Sequence, residues 1–225
     1  MMRRMMIQRA KWASNNVYGD KIYNKMVSLQ MHQSCFHLGK NKFSGEVPSQ
    51  LFSSGMALMH LLLDNNQLTG EIPDTIGLVQ NLTLICFENN TLRGLVPQSL
   101  NNLTNVADLI LCNNKLEGPL PNLTGMSSLK YLDLSSNAFD STDFPQWLLT
   151  MKNLTTLRMQ EANLSGRIPD GFFSLPSLQY VVLSENQLNG TLNLGPNYSK
   201  KLQLIDLHSN SIGELRSKIN CLISS

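Results

Sequence analysis

The chain has 225 residues, of which 42% are hydrophobic and 15% are charged, and its formal net charge is +2. This composition excludes an intrinsically disordered chain, and the scattered charges of both signs give no polyanion-binding surface. Four Cys residues exclude a fold built on disulfides, and no apolar run of about 18 residues is present to span a membrane.

Residues 1–34 form the first predicted segment, an irregular lead-in rich in Met and basic side chains. The segment lacks the apolar stretch of about 7–15 residues that a signal peptide carries. We therefore expect either a cytosolic protein or an incomplete chain whose true start lies elsewhere. The repeats that follow favour the incomplete chain.

A pattern of the form L-x-L-x-x-N then recurs about eight times over residues 35–213. One copy reads Leu61-Leu62-Leu63-Asp64-Asn65-Asn66, and Ala162 stands at the Asn position of a degenerate copy. Successive copies are 23–25 residues apart, which is too regular for chance. The sequence therefore predicts a repeat domain over 35–213 and a short tail over 214–225. We call the recurring Asn residues the Asn ladder: Asn41, Asn66, Asn90, Asn114, Asn137, Asn186 and Asn210.

Each L-x-L segment alternates with period two, which is typical of a short strand with one buried face. Because every coil repeats the strand in the same direction, the strands run parallel and stack into one ribbon at about 4.8 Å spacing. A ladder Asn follows each strand, where its amide can donate to and accept from backbone groups of adjacent coils. The alternative is that Asn only forms surface turns.

A second block, Gly-x-Ile/Val/Leu-Pro, follows the Asn in most coils, as in Gly70-Glu71-Ile72-Pro73. Gly permits positive φ and Pro fixes φ without needing a donor, so the block bends the chain onto the convex side. A short helical or 3₁₀ segment is predicted after it. Asp140 and Asn193 break this block, and Ala162 interrupts the ladder between them. The departures at Asp140 and Ala162 predict a local kink or altered curvature at that coil or, alternatively, reflect simple drift of the repeat.

The complete pattern, L-x-x-L-x-L-x-x-N-x-L-x-G-x-I-P-x-x-L-x-x-L, resembles the plant-type leucine-rich repeat over about Phe36 to Gly213. The chain is similar to the extracellular part of a plant leucine-rich-repeat receptor-like kinase, and segments such as Phe36-His37-Leu38-Gly39-Lys40-Asn41 are similar to the subfamily VIII type. This resemblance implies an α/β solenoid, a right-handed superhelix with one parallel β-ribbon on its concave face and irregular, 3₁₀ or short helical segments on its convex side.

The resemblance also implies a domain outside the cell that perceives a protein or peptide ligand, or a co-receptor, and no nucleic acid. The Gly-rich loop and the V-A-I-K, H-R-D and D-F-G motifs of a kinase do not occur in this sequence. We therefore expect a non-enzymatic fragment of a receptor whose parent sits in the plasma membrane. A free-standing secreted repeat protein, such as a cell-wall enzyme inhibitor or a decoy co-receptor, is the alternative.

The exposed positions of the L-x-L strands define the concave face, where large amphipathic and charged side chains favour recognition. Our candidate contact residues are Tyr131, Asp133, Arg158, Gln160, Tyr180 and Val182. The alternative is an ordinary solvated sheet face. No catalytic site, cofactor or metal site is predicted, because His37, His60 and His208 lie in different coils and none is spaced with Cys or carboxylates as a ligand set.

Two further predictions concern covalent chemistry. Sequons in convex loops predict glycans at Asn81, Asn102, Asn122 and Asn153 if the chain passes through the secretory pathway. Cys86 and Cys112 fall at strand positions predicted to be exposed, two residues out of register, with Cα atoms roughly 8 Å apart. A disulfide generally needs less than about 7 Å, so we expect two free thiols.

Overall fold

The computed structural model describes residues 34–215 and 223–224, and the side chains of residues 34–213. The predicted lead-in, apart from Ser34, and most of the predicted tail lie outside the described residues.

A nine-stranded parallel sheet runs through the described part of the chain, with one short strand from each coil. Neighbouring strands pair in register, so that Leu61 lies beside Ile85 and Ile85 beside Leu109. The predicted parallel ribbon is therefore confirmed. Its strands are Cys35–His37, His60–Leu62, Leu84–Cys86, Asp108–Ile110, Tyr131–Asp133, Thr156–Arg158, Tyr180–Val182, Leu204–Asp206 and Ile223–Ser224.

The hydrophobic core lies directly behind this sheet. Leu61 and Leu63 of one coil, and Ile85 and Phe87 of the next, are all fully buried. Period two turns both residues of each pair to the same side, and the in-register pairing stacks each one on its equivalents. Burial of a side chain of this size contributes about 1.5–3 kcal/mol, so each added coil extends one continuous core.

A second row of short parallel strands follows the ladder Asn in the coils, and the sequence did not predict it. The row divides into sheets of two, three and four strands within the described residues. Its strands are Ser44–Glu46 and Gln67–Thr69, then Arg93–Gly94, Lys115–Gly118 and Ala138–Phe139, then Thr142–Asp143, Leu164–Arg167, Gln187–Leu192 and Ser211–Leu215. Gly94 shows why glycine ends such a strand, because its φ is +74° and a Cβ there would lie 2.8 Å from Cγ of Glu71.

The convex side carries short 3₁₀ helices, as predicted. Those in the described residues are Ser49–Leu51, Asp74–Leu78, Gln98–Asn102, Gln146–Thr150 and Phe172–Ser174. Four of them begin directly after a Pro in extended conformation, so the fixed φ of that Pro directs the chain into the turn. No helix among the described residues has the length and apolar character needed to cross a bilayer.

The second row of strands breaks next to the coil of Ala162. Ala138–Phe139 pairs with the preceding coil, whereas Thr142–Asp143 pairs with the following one. In a regular coil, the N–H two residues after the ladder Asn donates to the Asn of the next coil, as Leu116 does to Asn137 at 3.1 Å. Ala162 has no amide to accept the equivalent bond from Phe139. The interruption of the sheet thus coincides with the gap in the ladder, while the predicted kink stays a prediction.

Candidate recognition site on the concave face

The Asn ladder fixes the backbone at the end of each concave strand. Nδ2 of Asn90 donates to the carbonyl oxygens of Phe87 in its own coil and Leu63 in the preceding coil, both at 3.0 Å. Its Oδ1 accepts from the backbone N–H of Leu68 at 3.0 Å. Equivalent bonds to a preceding coil are made by Asn66, Asn114, Asn137, Asn186 and Asn210, whereas Asn41 donates to carbonyls of its own coil. The ladder therefore fixes the backbones of adjacent coils relative to each other, and with them the positions from which the exposed side chains of the concave face project.

The residue before each ladder position adopts a left-handed backbone, which sequence reasoning missed. The φ angles at these positions lie between 48° and 59°. The residues are Lys40, Asn65, Asn89, Asn113, Ser136, Glu161, Glu185 and Ser209. Asn tolerates this conformation better than most side chains do, so the Asn-Asn pairs in the sequence carried the signal.

A shallow depression of about 280 Å³ lies on the concave sheet and groups four of the six predicted contact residues. These are Tyr131, Asp133, Arg158 and Gln160. The depression is also lined by Glu88, Ile110, Cys112, Asn113, Ser135 and Ser136, which were not among the predicted contacts. Cys112 and Ser135 occupy the same position in their coils as Gln160 does in its own. Their equivalence to Gln160 in the repeat could therefore have predicted them as lining residues.

Asp133 is the central charge of the depression. Its side chain is only 8% exposed, and its Oδ2 lies 3.2 Å from Nε of Arg158, which is 42% exposed. Its Oδ1 accepts from the backbone N–H of Ser135 at 3.0 Å. Burial, together with the charge of Asp133, raises the pKa of Tyr131, so the phenol stays a neutral donor at physiological pH. The ion pair thus orients the solvent-accessible guanidinium of Arg158 beside the neutral ring of Tyr131.

Cys86 and Cys112 are free thiols, as predicted, but both are buried and not exposed. The expectation of exposure was wrong for both, and Cys86 lies between the larger side chains of Leu62 and Ile110, which pair with it in register. Burial raises the pKa of Cys86 to about 11 and raises that of Cys112 further. Both thiols therefore stay protonated at neutral pH, and Cys112 contributes an uncharged wall to the depression.

Tyr180 and Val182 lie one strand beyond the depression. Tyr180 is 38% exposed, and its hydroxyl donates to Oε1 of Gln203 at 2.6 Å. Val182 is only 5% exposed and pairs in register with Arg158 and Asp206. It therefore offers a partner little surface, although its backbone lies on the predicted face.

A chain of polar contacts extends the face toward the C-terminal coils. Nε2 of Gln160 donates to Oε1 of Glu185 at 2.8 Å, and the same oxygen lies 3.7 Å from Nε2 of His208. Nδ1 of His208 lies 2.7 Å from Oδ1 of Asp206. This bond to the carboxylate raises the pKa of His208, so the imidazole gains a proton at a higher pH than an isolated His does.

At the N-terminal end, the structure departs from the expectation that no His combines with Cys. His37 and His60 lie on adjacent strands and come together with Cys35. Although these residues are far apart in sequence, the in-register pairing of the two strands brings their side chains to one face. The spacing along the chain therefore gave no sign of a cluster that the stacking of coils creates.

The four predicted glycosylation positions, Asn81, Asn102, Asn122 and Asn153, are all exposed. Two of them already bond the preceding coil, since Nδ2 of Asn81 donates to the Met56 carbonyl at 2.9 Å and Nδ2 of Asn153 to the Ser127 carbonyl at 2.8 Å. Glycosylation at these positions stays a prediction.

Known sequences supply relatives of this chain. A family model described as Leucine Rich Repeat matches residues 57–78 and 128–151. A probable leucine-rich repeat receptor-like protein kinase from Arabidopsis thaliana is 56% identical over 185 residues, which make up 82% of this chain and 20% of that protein. The chain thus spans a fifth of the length of this curated relative.

Solved structures of plant receptors share the fold. The crystal structure of PEPR1 with AtPEP1 superposes with a TM-score of 0.74 at 29% identity, covering 84% of this chain and 26% of that one. The Arabidopsis receptor kinase HAESA, in complex with the peptide hormone IDA and the co-receptor SERK1, gives a TM-score of 0.69 at 25% identity, covering 84% of this chain and 35% of that one.

Proposed function

We propose that this chain is a non-catalytic recognition domain acting on the extracellular side of the plasma membrane. The proposal follows from its leucine-rich repeats and from its similarity to a plant receptor-like kinase. Its ligand is a protein or peptide, and the observation that carries the proposal is the depression at Tyr131, Asp133, Arg158 and Gln160. HAESA, which shares the fold, was solved with a peptide hormone, and this supports a peptide as the ligand class.

The dimensions of the depression suit a short extended segment. Its lining residues come from four successive coils, from Glu88 to Gln160. At about 4.8 Å between strands, four coils span roughly 14 Å, which an extended peptide covers with about four residues. The half-buried Ile110 supplies an apolar surface, and Arg158 supplies a cation for a carboxylate of the ligand.

Peptide selection tests the proposal. A random peptide library displayed on phage is selected against the full chain, and the affinities of the recovered peptides are measured by isothermal titration calorimetry. We expect Tyr131→Ala and Arg158→Ala each to weaken binding at least tenfold, because aromatic and Arg anchors dominate such interfaces. Lys115→Ala is the matched control, since Lys115 is exposed on the second row of strands, and it should leave the affinity unchanged.

Circular dichroism of each variant establishes that the fold is intact. Recovered peptides that bind the Tyr131→Ala and Arg158→Ala variants as tightly as the unmodified chain would place recognition away from the depression and contradict the proposal.

A further inference from the structure

Three metal-ligating side chains meet on the first two strands of the concave sheet. Cys35 lies directly opposite His60 in the strand pairing, and His37 follows two residues later on the same face. Sγ of Cys35 lies 3.5 Å from Nδ1 of His60, and Nε2 of His37 lies 3.4 Å from the same nitrogen. The ligand atoms of all three residues lie within 4.8 Å of one another.

Two of these separations, Cys35 to His60 and His37 to His60, match edges of a tetrahedral zinc site. With Zn–S of about 2.3 Å and Zn–N of about 2.05 Å, a tetrahedron places sulfur and nitrogen about 3.6 Å apart and two nitrogens about 3.4 Å apart. The two separations of 3.5 Å and 3.4 Å are close to both values. We propose that Cys35, His37 and His60 form a binding site for Zn²⁺. This site is separate from the recognition depression and does not depend on the proposed function.

The backbone already holds the ligands in place, so binding requires only side-chain rotation. The two imidazole rings are nearly parallel, at 6° and with centroids 5.6 Å apart. An ion lies in the plane of each imidazole that binds it, so one ring must turn about its Cβ–Cγ bond. That torsion is broad in His, and the paired strands keep the Cα positions fixed while it turns.

The surroundings of the cluster favour a soft divalent cation. Thiolate and imidazole ligands select zinc over magnesium or calcium, which prefer oxygen. The carboxylate of Asp64 packs over Gly39, two residues beyond His37, and adds negative charge next to the site. His37 is exposed while Cys35 and His60 are half-buried, so an ion can enter from solvent. Three protein ligands leave the fourth position to water or to a side chain of a bound partner.

Cobalt(II) is the spectroscopic probe for this site. The full chain is titrated with Co²⁺ and then with Zn²⁺ as competitor. We expect one ion to bind per protein chain, with a thiolate-to-cobalt charge-transfer band and the visible spectrum of tetrahedral cobalt. Cys35→Ser should abolish the charge-transfer band, and His60→Gln should weaken zinc binding at least tenfold. His208→Gln, at a surface His far along the solenoid, is the matched control and should change neither.

The proposal is overturned if the unmodified chain gives no thiolate band, or if the Cys35→Ser and His60→Gln variants bind zinc as tightly as the unmodified chain. The first outcome leaves only a hydrogen-bonded cluster, and the second places the ion elsewhere in the chain.

Alkylation of Cys35 tests the site without any substitution. The rate of its modification by iodoacetamide is followed by mass spectrometry of the Cys35 peptide. Zinc should slow the reaction at least tenfold, because the bound thiolate is both shielded and less nucleophilic, while magnesium should have no effect. Equal rates with and without zinc would overturn the proposal.

Discussion

The side-chain oxygen and nitrogen of a ladder Asn contribute unequally to stability, as Asn90 shows. The Leu63 carbonyl accepts from Nδ2 of both Asn66 and Asn90, so it keeps one donor if the other is lost. The N–H of Leu68, by contrast, donates to Oδ1 of Asn90 at 3.0 Å, and Leu68 itself is fully buried. The acceptor oxygen therefore carries most of the energetic consequence of removing a ladder Asn.

At the residue scale, we predict that Asn90→Ala lowers the free energy of unfolding by about 2–3 kcal/mol, because the N–H of the fully buried Leu68 loses its acceptor. Urea unfolding followed by circular dichroism measures the change. The control is Asn105→Ala, which removes a bond to the Gln80 carbonyl at an exposed position and should cost less than about 1 kcal/mol. Equal losses in the two variants would show that the ladder is no more than a set of surface contacts.

At the scale of the element, the coil of Ala162 shows how neighbouring coils compensate for a missing amide. Oδ1 of Asn186 accepts from the N–H groups of both Ala162 and Leu164, at 3.1 Å and 2.9 Å. Asn163, the residue after Ala162, donates to the Phe139 carbonyl at 3.2 Å. These bonds tie the irregular coil to both of its neighbours, so the main sheet continues across it while the second row of strands breaks.

Restoring the amide should therefore stabilise this coil. We predict that Ala162→Asn raises the free energy of unfolding by about 1 kcal/mol, because Oδ1 of the new side chain accepts from the N–H of Phe139. Thermal and urea unfolding measure the change. The control is Ala138→Asn, the same substitution at an exposed position, which should have an effect within about 0.5 kcal/mol. A loss of stability in Ala162→Asn would instead mean that the coil has repacked around the methyl group.

At the scale of the whole molecule, the described coils form a one-dimensional stack. In the concave sheet, Leu109 pairs with Ile85 on one side and Leu132 on the other, while Phe36 pairs with Leu61 alone among the described residues. Because each coil gains its stability from its neighbours, central coils open less often than terminal ones.

Amide hydrogen exchange tests this gradient. We predict that the amide of Leu109 exchanges at least tenfold more slowly than that of Phe36, although both are buried strand residues. Mass spectrometry of peptic peptides, or NMR, measures the two rates. Uniform protection along the concave sheet would show that the stack opens as one cooperative unit instead.

The concave sheet, the inward-facing Leu columns, the positive φ of the repeat glycines and the 3₁₀ helices were all predictable from the sequence. These features follow from local spacing and local sterics. Period two defines one buried face, a positive φ such as that of Gly94 suits glycine, and the Pro before each of four helices fixes its entry. Repetition then fixed the direction of every strand.

Only the tertiary structure decided which side chains of neighbouring coils contact or cover one another. The second row of strands, the burial of Cys86 and Val182, and the meeting of Cys35 with His60 all depend on register between residues about two dozen positions apart. Exposure on this parallel sheet is set by the size of the side chains in the flanking coils, which a repeat pattern does not specify. The sequence alone therefore determined the architecture, whereas stacking determined which side chains are grouped and which are covered.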